Sequence, residues 1–135
     1  MEQERRFTVA EAQELLDAGL REQAERMVEV RAKSRDLEAR WRRLVIAIGS
    51  NGGDMDRAEV RELRATVEAS HAELTEIVAR FNDEGIQVKD MDRGLIDFPA
   101  EIDGQDALLC WHVGEPRIAY WHSPEDGFAG RKPLE

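Results

Sequence analysis

From Leu20 onward the apolar residues fall on a seven-residue ladder, Leu20, Met27, Trp41 and Ile48, with Val30, Leu37 and Leu44 three positions after its successive members. Positions three, four and seven apart share one face of a helix, so this spacing predicts one long helix with a single buried stripe. Gly49-Ser50-Asn51-Gly52-Gly53 ends it, because glycine and asparagine supply left-handed backbone that a helical pattern cannot continue through. Asp54 or Asp56 caps a second helix whose stripe is Val60, Leu63, Val67, Leu74, Ile77 and Phe81, again at seven-residue spacing, and Gly85 stops it. Two helices of similar length joined by a short loop pack most economically as an antiparallel hairpin with a shallow left-handed crossing. Upstream, Thr8 and Glu11 make a capping-box pattern that starts a first helix carrying Leu15 and Leu16, with Asp17-Ala18-Gly19 as a break or kink.

After Gly85 the texture changes to short runs rich in aliphatic and aromatic residues: Ile86 to Val88, Leu95 to Ile102, Ala107 to Val113 and Ile118 to His122. These read as strands. Asp103-Gly104 is a two-residue turn signal and Val113-Gly114-Glu115-Pro116 a second, so neighbouring strands pair antiparallel. Pro99 removes one ladder donor, which predicts an edge or bulged strand. The tail from Ser123 lacks periodicity and is expected to be loop. The expected fold is α+β: a long antiparallel helical hairpin packed against a small antiparallel β-meander. It forms a single domain, with residues 1–84 helical and residues 85–135 supplying the meander and a C-terminal loop.

Turn geometry fixes strand register. A two-residue Asp103-Gly104 loop pairs Ile102 with Gln105, Asp97 with Cys110 and Phe98 with Leu109. With Gly114-Glu115 as the second loop, one face carries Ile96, Phe98, Ala100, Leu109, Trp111, Val113, Ile118 and Tyr120 and is expected to pack on the helices. The other carries Asp97, Leu108, Cys110, His112, Arg117 and Trp121. It is too apolar for a wetted sheet and too polar for a core, so the tail through Phe128 and Leu134, a partner chain or a ligand is expected to cover it.

Composition narrows the class without naming an activity. The chain is 36% charged and 41% hydrophobic, too apolar for a disordered protein, and its net charge of −10 repels polyanions, so no nucleic-acid partner is expected. Arg35, Arg40, Arg42 and Arg43 are interleaved with Asp36 and Glu38, as on a solvated helix face. The longest strongly apolar stretch, Leu44 to Ile48, is far short of the ~20 residues that cross a bilayer, so no membrane partner is expected. Cys110 is the only cysteine, which excludes an internal disulfide and makes a reducing, cytoplasmic location the simplest assignment.

Several motifs occur in one order: Phe7-Thr8, Glu11-Ala12, Val88-Lys89-Asp90, Gly94 to Ala100, Leu109-Cys110-Trp111, Gly114-Glu115, Tyr120-Trp121-His122 and Gly127 to Arg131. Together they resemble the prokaryotic family called domain of unknown function 2203, over nearly the whole chain. The resemblance brings no activity, substrate or catalytic residue. It implies that the motif residues of the β-half, and not the helices, hold what is particular to the family.

The chemistry-bearing residues gather in that half. Cys110 and His112 lie two apart on one strand and so leave the same face, opposite Asp97. Thiolate, imidazole and carboxylate are all accepted ligands of zinc or another divalent metal, with His122 a fourth if the second turn holds three residues instead of two. The plainer reading of each is structural: a buried hydrophobe at Cys110, a carboxylate at Asp97 paired with Arg117, Arg131 or an amide, a solvated Glu115, and core aromatics at Trp41, Trp111, Tyr120 and Trp121. A nucleophilic Cys110 with a histidine base needs a depressed thiol pKa. Gly127 to Arg131 offers amides and a guanidinium to an anion, against loop docking through Phe128. His71 reads as a boundary residue of the hairpin.

Two functions are expected from this. The preferred one is a non-catalytic binding or self-association module using the hairpin and the second sheet face, with a homo-oligomer or protein partner. The other is a metal- or small-anion-binding protein, with or without catalysis, built on Asp97, Cys110, His112, Glu115, Trp121, His122 and Arg131.

Overall fold

The computed structural model describes residues 5–50 and 57–134. Thr8 opens the first helix as its pattern predicts: Thr8 Oγ1 accepts from the Glu11 amide at 3.1 Å, and the Thr8 amide donates to Glu11 Oε1 at 2.9 Å. Helix α1 (Val9–Leu15) runs into a wide turn, Leu16–Leu20, where Gly19 takes φ 136° and the Arg21 amide reaches back to the Leu16 carbonyl. Asp17-Ala18-Gly19 is therefore a kink, and the chain continues as α2 (Arg21–Ser50). Helix α3 (Arg57–Asp83) returns along it. The Asp54 or Asp56 cap and positions 51–53 of the glycine loop lie outside the described residues.

Leu20, Met27, Val30 and Leu37 on one side and Leu74, Ile77 and Phe81 on the other are buried, as the ladder requires. The ladder skips position 34, and fully buried Ser34 occupies that rung; Ser70 is its buried counterpart three residues after Val67. Nearer the hairpin loop the stripe loosens. Trp41, Leu44, Ile48, Val60, Leu63 and Val67 are only half-buried, and Val45 and Ile46 are exposed. Trp41 thus falls short of the core because α2 spans about 45 Å, whereas the eight-residue strand β2 spans about 27 Å, and the sheet covers only part of the hairpin. Arg26 pairs with Glu73, and His71 with Glu38, across the helices.

The sheet is a meander in the order β1 (Gln87–Asp90), β2 (Leu95–Ile102), β3 (Gln105–Trp111), β4 (Tyr120–His122) and β5 (Lys132–Pro133), every neighbouring pair antiparallel. Ile96, Phe98, Ala100, Leu109 and Trp111 join Phe7, Leu16, Met27 and Phe81 in one core. The tail is not wholly loop, since β5 adds a fifth strand to β4. Nor is β2 an edge in strand order. Pro99 is tolerated because β1 begins opposite Asp97, leaving that side of β2 open at Pro99, whose carbonyl accepts from the Phe7 amide at 2.7 Å. A residue's N–H and C=O point the same way in a strand, so the missing donor faces a place without a ladder.

Candidate metal centre

Asp103 and Gly104 both take positive φ, 52° and 78°, the two-residue turn that matches strand twist. Register follows from it, and Asp97 faces Cys110 as counted. The second turn is different. Glu115 Oε1 accepts from the His112 amide and the Glu115 carbonyl from Trp111 Nε1, both at 3.0 Å, so residues 112–119 form an irregular connection in place of a two-residue loop. Cys110 then pairs with Tyr120, Leu109 with Trp121 and Leu108 with His122, one residue displaced from a Gly114-Glu115 loop and equal to the three-residue count. Because strand side chains alternate, this slip brings His122 to the Cys110 face, turns Trp121 to the core side and takes Tyr120 off it.

Asp97, Cys110 and His122 consequently meet inside the protein, each at most 2% exposed, with one ligand atom from each within 4.8 Å of the others. Asp97 Oδ2 lies 2.9 Å from His122 Nε2, so the partner of Asp97 is neither Arg117 nor Arg131. His122 Nδ1 sits 2.8 Å from the Ser123 carbonyl, which can only accept, so Nδ1 carries a proton and Nε2 is aimed at the carboxylate. The pair therefore shares one further proton, as imidazolium with carboxylate or as imidazole with carboxylic acid. Among the described residues Asp97 Oδ1 has no hydrogen-bond partner. Burial raises the Asp97 pKa against the pull of His122, and burial with the nearby Asp97 charge pushes the Cys110 thiol up to about 12.

The remaining candidates form a layer beside this trio. Arg131 lies near enough to Cys110 for its charge to oppose the rise of the thiol pKa, and it donates from Nη1 to Glu115 Oε1 at 3.0 Å, while its guanidinium lies over the rings of Tyr120 at 4.0 Å and Phe128 at 4.5 Å. Glu115 is thus no solvated turn residue. His112 does not join the ligand group; its Nδ1 faces the Val113 carbonyl and its Nε2 lies 3.6 Å from Glu115 Oε1, just past the end of β3. Phe128 docks between Arg131 and Arg93, so the tail covers this face as expected, while Leu134 packs on the core side. The amides of Gly130 and Arg131 are bonded within their own turn. Arg35 pairs with Asp92, which removes it from an anion patch.

The geometry separates the chemistries. A thiol nucleophile needs a base and a low pKa. Here both nitrogens of His122 are engaged away from sulfur and burial pushes the thiol pKa up, which disfavours a cysteine nucleophile. Three convergent donors with an unpartnered carboxylate oxygen suit a metal ion better, and the Nδ1 bond to a backbone carbonyl is the outer contact that typically orients a metal-binding imidazole. A surface cleft of about 590 Å³ beside Val9, Ile118 and Pro133 touches this region only through Tyr120.

A family profile described as an uncharacterized conserved protein, DUF2203, matches residues 5–134. The chain belongs to this family. No curated protein and no solved structure matches it. For DUF2203 the motif residues of the β-half therefore have a spatial reading in this member: Asp97, Cys110 and His122 meet in a buried trio, and Glu115, Phe128 and Arg131 close over it. The two-residue count puts His122 and Tyr120 on the wrong faces; the three-residue alternative at Gly114-Glu115-Pro116, on which His122 is a fourth ligand, places both.

Proposed function

We propose that this DUF2203 protein binds one divalent transition-metal ion, zinc by the chemistry of the donor set, through Asp97 Oδ1, Cys110 Sγ and His122 Nε2. The observation that carries the reading is the buried, unpartnered Oδ1 set beside a thiol and an oriented imidazole. A free oxygen of this kind costs about 1–3 kcal/mol when nothing satisfies it. Tetrahedral zinc places its ligand atoms about 3.4–3.8 Å apart, and one ligand atom from each member of the trio lies within 4.8 Å of the others. Metal binding would displace the thiol proton and the proton shared by Asp97 and His122. Elemental analysis of protein purified without added metal, and after reconstitution with zinc, is the test. One equivalent of zinc, lost in Cys110→Ala and His122→Ala with circular dichroism unchanged, is the expected result. No bound metal after reconstitution, or equal zinc in both variants, overturns it.

A second reading concerns the hairpin. Val45 and Ile46 are 48% and 68% exposed. The chain exposes 8844 Å², where a compact protein of 15.4 kDa exposes about 7,200 Å². The difference exceeds the roughly 800 Å² that each partner gives to a standard interface. These features favour self-association through the outer half of the hairpin. A dimer by light scattering that Ile46→Asp converts to a folded monomer supports it; a wild-type monomer at high concentration rejects it.

A further inference from the structure

A cavity of about 370 Å³ opens on the sheet face that carries the trio, lined by Gln87, Lys89, Pro99, Leu108 and Pro124 and by the ion-paired Arg6 and Asp106. Three of these residues adjoin the trio through the strand ladder. Gln87 pairs with Asp97, Leu108 pairs with both His122 and Pro99, and Pro99 is two residues from Asp97 on the same face. The trio itself is closed to solvent, so this cavity is the recess immediately beside it. Arg6 is held by Glu101 and Asp106. Lys89 is exposed, enters no ion pair among the described residues, and its charge reaches the Asp97 carboxylate. In a chain of net charge −10, an uncommitted lysine at the mouth of a cavity is a place where an anion gains charge and loses little hydration.

The walls narrow the class. Pro99, Leu108 and Pro124 offer apolar surface, and Gln87 offers an amide. One lysine without a nest of backbone amides suits a singly charged carboxylate better than a phosphate, which draws on several donors. The volume lies at the small end of ligand cavities and fits a molecule of a few carbons.

We infer that this cavity binds a short-chain carboxylate, its head group held by Lys89 beside the Asp97, Cys110 and His122 trio and its carbon chain lying against Pro99 and Leu108. The inference extends the metal-site reading by naming the ligand class that would reach the ion's neighbourhood. The cavity and Lys89 do not themselves depend on that reading.

The experiment uses the full chain with butyrate as probe and inorganic phosphate as comparison. Amide shifts of Lys89 and Leu108 are followed by nitrogen-15 NMR in metal-free protein, and the visible cobalt–thiolate spectrum is followed after loading with cobalt(II). Saturable shifts at both amides with butyrate, weaker with phosphate, are expected. Lys89→Gln should weaken butyrate binding about tenfold, as for loss of one charge-assisted hydrogen bond, with Lys89→Arg close to wild type and cobalt content unchanged. Absence of butyrate-dependent shifts, tighter binding of phosphate, or equal affinity in Lys89→Gln overturns the inference. Cobalt uptake without a butyrate response rejects the carboxylate site and leaves the metal reading standing. A Lys89-dependent butyrate response in protein that takes up no cobalt does the reverse.

Discussion

Ser34 and Gly94 are the positions where a single atom has the clearest consequence. Ser34 is fully buried on the apolar stripe of α2 and its Oγ has no hydrogen-bond partner among the described residues, so the hydroxyl is desolvated with nothing in return from them. Ser34→Ala is expected to leave stability unchanged or raise it by about 1 kcal/mol in urea unfolding; a loss of that size would mean that the oxygen is satisfied. Gly94 takes φ 64°, and a Cβ there would sit 2.4 Å from Val113 Cγ2 and 3.0 Å from Val28 Cγ2. Left-handed backbone and overpacking act together, so Gly94→Ala should cost about 3 kcal/mol by the same measurement. Gly94 ends the turn whose Asp92 is bound by Arg31 and Arg35, which ties this close approach to the α2 surface.

At the scale of elements, caps and turns decide how far pattern reaches. Thr8→Ala removes one half of the α1 capping box and is expected to destabilise by about 1 kcal/mol at neutral pH. The penalty should depend on pH. The Thr8 amide and hydroxyl bonds hold the Glu11 carboxyl below its ordinary value, so this stabilisation is complete above the unfolded carboxyl pKa and is lost as pH falls through the lower, folded one. Urea midpoints of wild type and Thr8→Ala should therefore draw together below about pH 4, and a constant difference would reject the coupling.

The same local chemistry set what the sequence made legible. The capping box, the kink at Gly19, the stop at Gly85 and the Asp103-Gly104 turn each rest on contacts within five residues, and all are found among the expectations, together with the Asp97 and Cys110 pairing. Residues 112–119 were misread because side chains set their conformation, the Glu115 carboxylate reaching the His112 amide and, sixteen residues away, Arg131, and the Trp111 indole reaching the Glu115 carbonyl, none of which is a backbone turn signal. One residue of slip was enough to exchange His122 for Trp121. His112 dropped out of the ligand group for the same reason, since it lies beyond the last paired residue of β3. The short β5 escaped notice because two residues carry no period.

For the whole molecule, the separation between chain neighbours and spatial neighbours matters most. Every strand pairs with the next in sequence, and the two long helices are likewise consecutive, so most of the structure closes short loops. Among the contacts that do not close short loops are those of the segment before α1. Arg5 meets Glu84, Arg6 meets Glu101 and Asp106, the Phe7 amide meets Pro99 and the Phe7 ring packs edge-on against Phe98 at 5.5 Å, contacts that join residues 79 to 100 apart in sequence. Phe7→Ala should cost about 3 kcal/mol or more, and stopped-flow chevrons should place nearly all of it in faster unfolding, with the refolding arm almost unmoved.

That single stitch at Pro99 gives the molecule a seam. Under mechanical load or during brief openings, the Arg6-Phe7 segment would peel from β2 before the helices part, uncovering the proline-bearing stretch while the meander stays zipped. Amide exchange at Phe7 should then outpace exchange in the centre of β3 by orders of magnitude, marking where the protein opens first.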